Sequence, residues 1–383
     1  MECKNSVLRW GIASLYDILQ RFYSSIPYNY FKSGYSFPAW HYYIELTRRC
    51  NLRCKMCQYI DWLENVPIKQ QMEGELSTDE WKNVISQIHS WSLITFTGGE
   101  PFVRKDFMEL FSYASRRART HFISNGTMIT EDRAQELVKL APKRLGGKGL
   151  NFAGTSIEAP GEKHDNIRKM KGAFERTTTG IRFLREYRDK AKKQCPLIHI
   201  TTVIQQDNVE ILPQMPALIK ELGADVLNLV TESRSLDLPG LGDVDPSVYK
   251  AEHIQYPKID KDKLTKSLTD TIAEAAKLGI QLRLPRMPIS SIIDYYTTGI
   301  NLNDFECRNA WNTLFIGRTG DVYPCWIRKI GNIKNASLKE LWNNPIMRQF
   351  RQACKNHLWA TCPGCCFIEH KTNKKPINPF ASF

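Results

Sequence analysis

The sequence predicts an α/β fold: a partial, TIM-like (β/α)6 barrel followed by a small C-terminal domain. Strand-like and helix-like segments alternate six times between residues 41 and 230, a pattern typical of parallel βαβ units with right-handed crossovers. Six units are two fewer than a closed eightfold barrel contains, so we expect an open barrel. Cysteines cluster directly after the first strand and again beyond residue 300. The two clusters indicate two sites for soft metals.

Residues 1–38 are predicted to form an N-terminal helix and an arm that pack on the barrel. Apolar and aromatic residues recur from Leu8 to Tyr23 and continue to Phe37. The alternative is an interfacial helix that contacts a membrane surface. The sequence holds no run of 18 apolar residues and its N-terminus lacks the pattern of a signal peptide, so we expect a cytoplasmic protein.

The barrel is assigned to residues 39–234. The helix at 77–89 begins with a capping box formed by Ser77 and Glu80. The strands are predicted at 41–47, 93–97, 120–124, 151–157, 197–204 and 225–230, and the other helices at 106–118, 131–140, 174–193 and 211–222. In barrels of this type the chemistry lies at the carboxyl ends of the strands.

The remaining chain is divided into a bridging region, a second domain and a tail. The bridging region, 235–299, contains a linker or lid at 235–261, a helix at 262–278 and a strand at 281–284. The second domain, 300–370, contains a hairpin and helices at 337–343 and 345–354, and residues 371–383 form the tail.

Charge and cysteine content narrow the classes of partner. Lys and Arg number 53 against 40 Asp and Glu, giving a formal charge of +13. This excess indicates either solvated helix faces or attraction to an anionic substrate, an acidic partner, nucleic acid or a membrane surface. No appended nucleic-acid module is recognisable, and we expect no DNA partner. Eleven cysteines in an intracellular chain favour metal binding or catalysis over disulfides.

Three cysteines, Cys50, Cys54 and Cys57, follow the first strand within one loop. Soft thiolates select zinc or iron–sulfur clusters. A structural zinc site uses four ligands, and the nearest histidines, His41 and His89, each lie beyond an intervening segment. Three thiolates on a cubane of four irons leave one iron open to a small molecule. This arrangement favours a cluster with a reactive vertex.

The segment from Cys50 to Cys57 resembles the signature loop of the radical S-adenosylmethionine (SAM) superfamily. The resemblance implies a [4Fe–4S] cluster that binds SAM and, with an electron from flavodoxin or ferredoxin, yields methionine and a 5′-deoxyadenosyl radical. The radical then abstracts hydrogen from the substrate. Further residues match the superfamily and are implied to surround SAM: Met56, Gly98, Gly99, Glu100, Ser124, Asn125, Ser156, Glu158 and Arg168. Glu158 stands where an Asp is more usual.

The second cysteine group resembles the SPASM/Twitch extension of the same superfamily. Its spacing is Cys307-x12-Gly320-x4-Cys325, then Cys362-x2-Cys365. The shorter Twitch type, with one auxiliary [4Fe–4S] cluster, fits better, and its implied ligands are Cys307, Cys325, Cys362 and Cys365. Cys354 and Cys366 are spare, and Cys366 is the first substitute. A zinc ribbon is the alternative, because Cx2C pairs also suit zinc.

The substrate predicted from the sequence is a small polar or phosphorylated metabolite. Four thiolates close an auxiliary cluster and suit it to electron transfer, so we expect net oxidation of this substrate. The alternative is a peptide- or protein-modifying maturase. Glu158, Tyr59, His164 and Arg234 are conceivable pocket groups, and the sequence assigns none of them as general base.

Overall fold

The computed structural model describes residues 18–233, 243, 246–250, 252 and 255–372. Three predicted features therefore lie wholly or partly outside the described residues. These are the start of the N-terminal helix, most of the linker or lid at 235–261 together with Arg234, and the tail beyond residue 372.

A ten-stranded sheet forms the centre of the fold, and a separate pair of strands lies near the C-terminus. The strands in chain order are β1 (His41–Thr47), β2 (Leu93–Gly98), β3 (Arg119–Ser124), β4 (Gly149–Ser156), β5 (Leu197–Ile204), β6 (Val226–Thr231), β7 (Gln281–Arg283), β8 (Phe305–Glu306), β9 (Thr313–Ile316), β10 (Asp321–Tyr323), β11 (Gly331–Asn332) and β12 (Glu369–His370). The large sheet has the order β11-β10-β9-β1-β2-β3-β4-β5-β6-β7, and β12 pairs with β8. Strands β1 to β7 run parallel to their neighbours.

The sheet continues past the predicted barrel on both sides. The predicted strand at 281–284 is β7, which pairs with β6 as a seventh parallel strand. The predicted hairpin is β9 and β10, and β9 pairs parallel with β1, placing His41 opposite Thr313. An uncovered edge would leave the N–H and C=O groups of β1 without ladder partners. The C-terminal hairpin therefore extends the barrel sheet instead of forming a sheet of its own.

The predicted helices are present, with boundaries shifted by a few residues. The helices are α1 (residues 18–30), α2 (Ile60–Asn65), α3 (Ile68–Met72), α4 (Thr78–Ser86), α5 (Phe107–Arg117), α6 (Glu131–Leu140), α7 (Glu162–Arg168), α8 (Ala173–Lys190), α9 (Met215–Leu222), α10 (Lys261–Leu278), α11 (Ile289–Thr297), α12 (Leu338–Trp342) and α13 (Pro345–Asn356). The predicted capping box of Ser77 and Glu80 is formed. The sequence did not predict α2, α3, α7 and α11. Within the described residues, no helix has the length and apolarity needed to cross a membrane.

The barrel strands are buried on both faces. All seven residues of β1 are buried. Its outward residues, such as Ile44 and Leu46, belong to the same apolar core as Trp81 on α4 and Phe111 on α5. At the amino ends of the strands, Leu93, Phe152 and Leu197 form a small apolar cluster that closes the inside of the barrel.

Arg351 on α13 ties the N-terminal arm to the C-terminal part of the chain. Its guanidinium is fully buried. It donates to the carbonyl oxygens of Ala310 at 2.8 Å, Gly34 at 3.0 Å and Trp342 at 2.9 Å, and to Asn343 Oδ1 at 2.8 Å. One side chain thus satisfies acceptors from three separate segments.

Arg351→Met should destabilise the fold strongly. The substitution leaves buried acceptors without donors, and each unsatisfied group costs about 1–3 kcal/mol. We therefore expect the free energy of unfolding to fall by about 3 kcal/mol or more in urea denaturation. Lys339→Met, at an exposed position on α12, is the matched control and should change stability by less than about 0.5 kcal/mol. Equal stability of the two variants would contradict this role of Arg351.

Candidate active site

The first cysteine group lies directly beyond the end of β1, where Cys54 is buried and Cys50 and Cys57 are partly exposed. N–H donors approach all three sulfur atoms at distances between 3.4 and 3.9 Å. The donors are Leu52 N and Asn125 Nδ2 to Cys50 Sγ, Tyr59 N to Cys57 Sγ, and Arg168 Nη1 to Cys54 Sγ. Hydrogen bonds to cysteine sulfurs stabilise thiolate ligands and tune the potential of iron–sulfur clusters. The surroundings of the three thiols therefore fit a cluster.

Gly98 and Gly99 bring the end of β2 against the start of the cysteine loop. Gly98 has φ +127°, and a Cβ there would lie 2.1 Å from the carbonyl oxygen of Thr47. A Cβ at Gly99 would lie 2.3 Å from the carbonyl oxygens of Arg48 and Arg49. Only glycine fits such contacts. The role in SAM binding that the resemblance implied for these glycines stays a prediction, and the contact with the loop is an additional reason for glycine.

Glu100 connects the turns that follow β2 and β3. Its carboxylate accepts hydrogen bonds from Ser124 Oγ at 2.9 Å, Asn125 N at 2.8 Å and Phe102 N at 3.1 Å. Burial raises the pKa of Glu100 to about 7, while these donors and Arg168 oppose the increase. Because Asn125 also donates to Cys50, Glu100 orients a residue that contacts the cysteine loop. Its expected contribution to SAM binding stays a prediction.

Glu158 and Arg168 form a buried ion pair beside Cys54. The second carboxylate oxygen of Glu158 accepts from Val203 N at 2.9 Å and Gln205 Nε2 at 3.3 Å. Burial lowers the pKa of Arg168, but Glu158 and Cys54 outweigh it and hold the pKa above its usual range. Both oxygens of Glu158 are thus engaged. The pair holds a positive charge against Cys54.

The other predicted pocket residues lie around this network. Ser156, at the end of β4, lines an interior cavity. Met56 is half-buried within the cysteine loop. His164 Nδ1 accepts from Glu158 N at 3.1 Å, and Tyr59 donates its hydroxyl to Glu45 Oε1 at 2.8 Å. Both side chains are therefore positioned by neighbouring protein groups.

The C-terminal cysteines also come together. Burial raises the pKa of the Cys325 and Cys362 thiols, and the neighbouring Cys307 and Cys365 raise both further. Cys354 lies in the same group, with its thiol 3.6 Å from the carbonyl oxygen of Cys307. The four predicted ligands are thus neighbours, and the choice between Cys354 and Cys366 as a substitute stays open. Among the described residues, no three His, Cys, Asp or Glu side chains are placed to hold a single metal ion.

The interior cavity lies between the inner faces of β3 to β6 and the C-terminal cysteines, with a volume of about 310 Å³. Its upper wall is aromatic: the ring centroid of Phe315 lies 5.0 Å from that of Trp326 and 5.6 Å from that of Phe367. The cavity is also lined by Ser156, Thr201, Val230, Cys325, Cys362 and Cys365. Residues of the barrel and of the second cysteine group therefore line the same cavity.

Buried histidines lie at the cavity floor, and the sequence analysis did not predict them as site residues. His121 on β3 and His199 on β5 line the cavity, and His41 on β1 lies on the next alternate strand. Burial lowers the pKa of His41 to about 3. It lowers the pKa of His121 and His199 well below the usual value, and Arg283 on β7 lowers both further. The sequence pattern that could have indicated them is the presence of one histidine at an inward-facing position of each of the alternate strands β1, β3 and β5.

A partial parallel barrel with three cysteines after its first strand and a second cysteine group facing the same interior defines a radical SAM enzyme with an auxiliary cluster domain. The radical SAM superfamily matches residues 44–215, and the iron–sulfur cluster-binding SPASM domain matches residues 307–366. The chain belongs to the radical SAM superfamily. Its cofactors are a [4Fe–4S] cluster, an auxiliary cluster and SAM.

Two relatives and one solved structure illustrate this membership. The AdoMet-dependent heme synthase of Nitratidesulfovibrio vulgaris is 30% identical over 84% of this chain and 85% of its own length. That of Methanosarcina barkeri is 31% identical over 80% of this chain and 83% of its own length. Native anSMEcpe with bound AdoMet shares the fold, with a TM-score of 0.58 and 17% identity over 89% of this chain and 94% of its own.

Arg168→Met should leave the buried Glu158 without its counter-ion. Removing one partner of a buried ion pair costs about 3–5 kcal/mol, so we expect a loss of this size in the free energy of unfolding, measured in urea. The double variant Arg168→Met/Glu158→Gln should recover more than half of it, because the amide oxygen still accepts from Val203. Lys163→Met, at an exposed position on α7, is the control. A double variant as unstable as the single one would contradict the pairing.

Acid should destabilise the protein through its buried histidines. Their pKa values are lower in the folded chain than the unfolded value of about 6.5. The stabilisation of the folded state by these neutral histidines is therefore complete above pH 6.5. It is lost as the pH falls towards the pKa that each histidine has in the folded chain. Each histidine should lower the free energy of unfolding by about 1.4 kcal/mol per pH unit in that range. Urea denaturation between pH 7.5 and 5.5 measures the slope, and His199→Phe should reduce it by one histidine's share.

Proposed function

We propose that this radical SAM enzyme oxidises a side chain of a tetrapyrrole that is held in the interior cavity. The observation that carries this proposal is that barrel residues, such as Ser156 and Thr201, and four C-terminal cysteines line the same cavity. SAM and the first cluster supply a 5′-deoxyadenosyl radical that takes a hydrogen atom from the substrate. The chain itself binds the substrate, excludes water and places one C–H bond.

The lining of the cavity supports a flat, largely apolar substrate. Phe315, Trp326 and Phe367 offer ring faces and edges, to which Ile123 and Val230 add aliphatic surface. Small-molecule sites are mostly apolar, with a few polar groups that fix orientation. The lining therefore favours a substrate with an apolar body over the small polar or phosphorylated metabolite predicted from the sequence.

The polar groups of the cavity are few and lie mainly on the barrel strands. Ser156, Thr201 and Thr231 present hydroxyls, and His121 and His199 present imidazoles. A cavity of about 310 Å³ is at the lower end of the range for small-molecule sites. It fits the reacting edge of a larger ring system whose remainder lies towards the carboxyl ends of the strands.

Net oxidation is supported by the cysteines that line the cavity. Cys325, Cys362 and Cys365 are three of the four implied ligands of the auxiliary cluster. A cluster held by these residues would border the cavity and could accept an electron from a substrate there, and burial and hydrogen bonding would set its potential. The names of the relatives, two AdoMet-dependent heme synthases, support a tetrapyrrole as the substrate class.

The direct test supplies the anaerobically reconstituted holoenzyme with SAM, a reductant and iron coproporphyrin III as the probe. We expect the porphyrin to stimulate 5′-deoxyadenosine formation and to be converted into an oxidised product in step with it, as measured by chromatography and mass spectrometry. Stimulation by a sugar phosphate or by a peptide, without conversion of the porphyrin, would overturn the proposal. The peptide outcome would favour the maturase alternative.

Cysteine variants separate the two clusters. Cys54→Ser should abolish SAM cleavage, because it removes a ligand of the SAM cluster. Cys325→Ser should retain cleavage but lose porphyrin oxidation, and its iron content should fall from about eight atoms to about four. Cys195→Ala is the control, because Cys195 is fully buried in the barrel core. Full porphyrin oxidation by Cys325→Ser would contradict the role of the auxiliary cluster.

A further inference from the structure

A chain of hydrogen bonds runs from the interior cavity through three barrel strands. His121 Nδ1 on β3 lies 3.1 Å from Thr95 Oγ1 on β2, and the same hydroxyl lies 2.7 Å from His41 Nε2 on β1. The sheet register fixes this arrangement, because Thr95 lies directly opposite His121. All three residues are buried, with at most 3% of their surface exposed. Bulk water therefore does not compete for these hydrogen bonds.

The central hydroxyl couples the two imidazoles. A threonine hydroxyl has one proton to donate and lone pairs that accept. When the Thr95 hydroxyl donates its proton to one ring nitrogen, it accepts a hydrogen bond from the N–H of the other ring. Of the two nitrogens that face Thr95, His121 Nδ1 and His41 Nε2, one is therefore protonated and the other is not. A proton that enters at one ring and leaves at the other reverses both hydrogen bonds. Burial keeps both imidazoles neutral, so each ring has one nitrogen that carries no proton. Because burial disfavours a doubly protonated ring, a proton that reaches His121 must be passed on through Thr95.

The inner end of this chain faces the cavity. A Cβ at Gly154 would lie only 2.9 Å from His121 Nε2, and Gly154 and His121 both line the cavity. Because Gly154 has no side chain, it leaves room beside His121 Nε2. A side chain there would press against that nitrogen and separate it from the cavity.

The outer end reaches a second, polar pocket, here called the outer pocket. It is lined by His41 and by residues of α1, β9 and the C-terminal segment, among them Arg21, Ser24, Asn309, Thr313 and Glu369. Its volume is about 40 Å³, enough for two or three water molecules at about 10–15 Å³ each. Polar walls and this volume make the pocket suitable for ordered water. His41 therefore stands between the chain of hydrogen bonds and a place where protons can leave.

We propose that His121, Thr95 and His41 form a proton relay that carries a proton from the substrate in the interior cavity to the outer pocket. The inference rests on the proposed function, because oxidation of the substrate is what releases the proton. His121 is the group that faces the substrate. Thr95 and His41 act through it and are positioning residues.

The relay completes the balance of the oxidation. Desaturation of a side chain breaks one C–H bond on each of two adjacent carbons and leaves a C=C bond. The side chain loses two protons and two electrons in total, which leave as one hydrogen atom, one electron and one proton. With SAM bound, the 5′-deoxyadenosyl radical would take the hydrogen atom, and the auxiliary cluster that Cys325, Cys362 and Cys365 are predicted to help hold would accept the electron. The proton goes to His121 Nε2 while His121 Nδ1 releases one through Thr95 to His41. External reductant and SAM supply the radical, so no other oxidant is required.

Other titratable groups lie near both ends of the relay. On the cavity side, burial, His41 on β1 and Arg283 on β7 favour the neutral form of His121, and His121 in turn favours the neutral form of His199 on β5. On the outer side, Arg21 forms an ion pair with Glu369 at 2.9 Å, and Arg286 and Arg308 line the same pocket. Positive groups therefore stand at both ends, and they disfavour retention of the transferred proton on either imidazole.

The first experiment tests the hydrogen-bonded chain without using the reaction. The holoenzyme, which contains eight histidines, is labelled with ¹⁵N-histidine and examined by ¹⁵N NMR with its clusters oxidised. We expect Thr95→Val to shift the ring signals of His41 and His121 together, and Thr95→Ser to retain them. Thr120→Val is the matched control, because the buried Thr120 hydroxyl contacts Ser115 on the other face of the same strands. Unchanged signals in Thr95→Val would overturn the relay.

The second experiment measures turnover with iron coproporphyrin III. Positioned general bases contribute about 10²–10⁴-fold to rates, so Thr95→Val should lower kcat for porphyrin oxidation by about 10²-fold without raising KM. Thr95→Ser should restore kcat, and Thr120→Val should leave it unchanged. If Thr95→Val does not fold, His41→Gln removes the outer acceptor and should show the same loss in kcat at constant KM.

The outcomes separate the relay from the proposed function. A wild-type enzyme that does not oxidise the porphyrin would overturn the proposed function, and the NMR result would still decide whether the two histidines are coupled through Thr95. A wild-type enzyme that oxidises the porphyrin, with Thr95→Val as active as Thr95→Ser, would overturn the relay alone. Equal losses in Thr95→Val, Thr95→Ser and Thr120→Val would show a structural effect and would also overturn it.

Discussion

The parallel pairing of β1 with both β2 and β9 is the constraint on which the two cysteine sites depend. β1 is buried on both faces, and Cys50 follows its last residue by three positions. The position of the first cysteine loop is therefore fixed by a fully buried strand. β9 belongs to the segment that carries Cys307 and Cys325, and its register on β1 places Thr313 opposite His41. The two cysteine groups are therefore held by neighbouring strands of one sheet, and a change in this register would move one site relative to the other.

Many of the polar side chains around the first cysteine loop form hydrogen bonds or ion pairs with other protein groups. Glu100 is fully buried and accepts three hydrogen bonds from Ser124, Asn125 and Phe102. Arg168 bridges Glu158 and Cys54. Buried charges of this kind are stable only when they are paired and hydrogen-bonded. The hydrogen bonds and the ion pair that stabilise these buried groups also orient the donors around the thiols. The same interactions are therefore expected to contribute both to stability and to cluster binding.

The sequence predicts the barrel well because its elements are signalled locally. The strand at 41–47 and the helix at 131–140 have the predicted boundaries, since each combines clear periodicity with a turn or cap. The pairing of β9 with β1 could not be predicted, because it joins residues more than 250 positions apart and no local pattern specifies it. α7 has only seven residues and begins after Gly161, which is too short for a periodic signal. The motif cysteines were recognisable from spacing, whereas His41 and His121 become neighbours of Thr95 only through sheet register.

The interior cavity separates two kinds of charge movement by position. Cys325 and Cys362 line the cavity, and a closed cluster held there, as we predict, would suit electron transfer. His121 lies at its floor, where burial keeps the imidazole neutral and Thr95 connects it to His41. An electron and a proton removed from one substrate would therefore leave in opposite directions, the first towards the C-terminal cysteines and the second through the barrel wall. In the proposed reaction, this separation would prevent either charge from accumulating beside the apolar substrate, where an uncompensated charge is most costly.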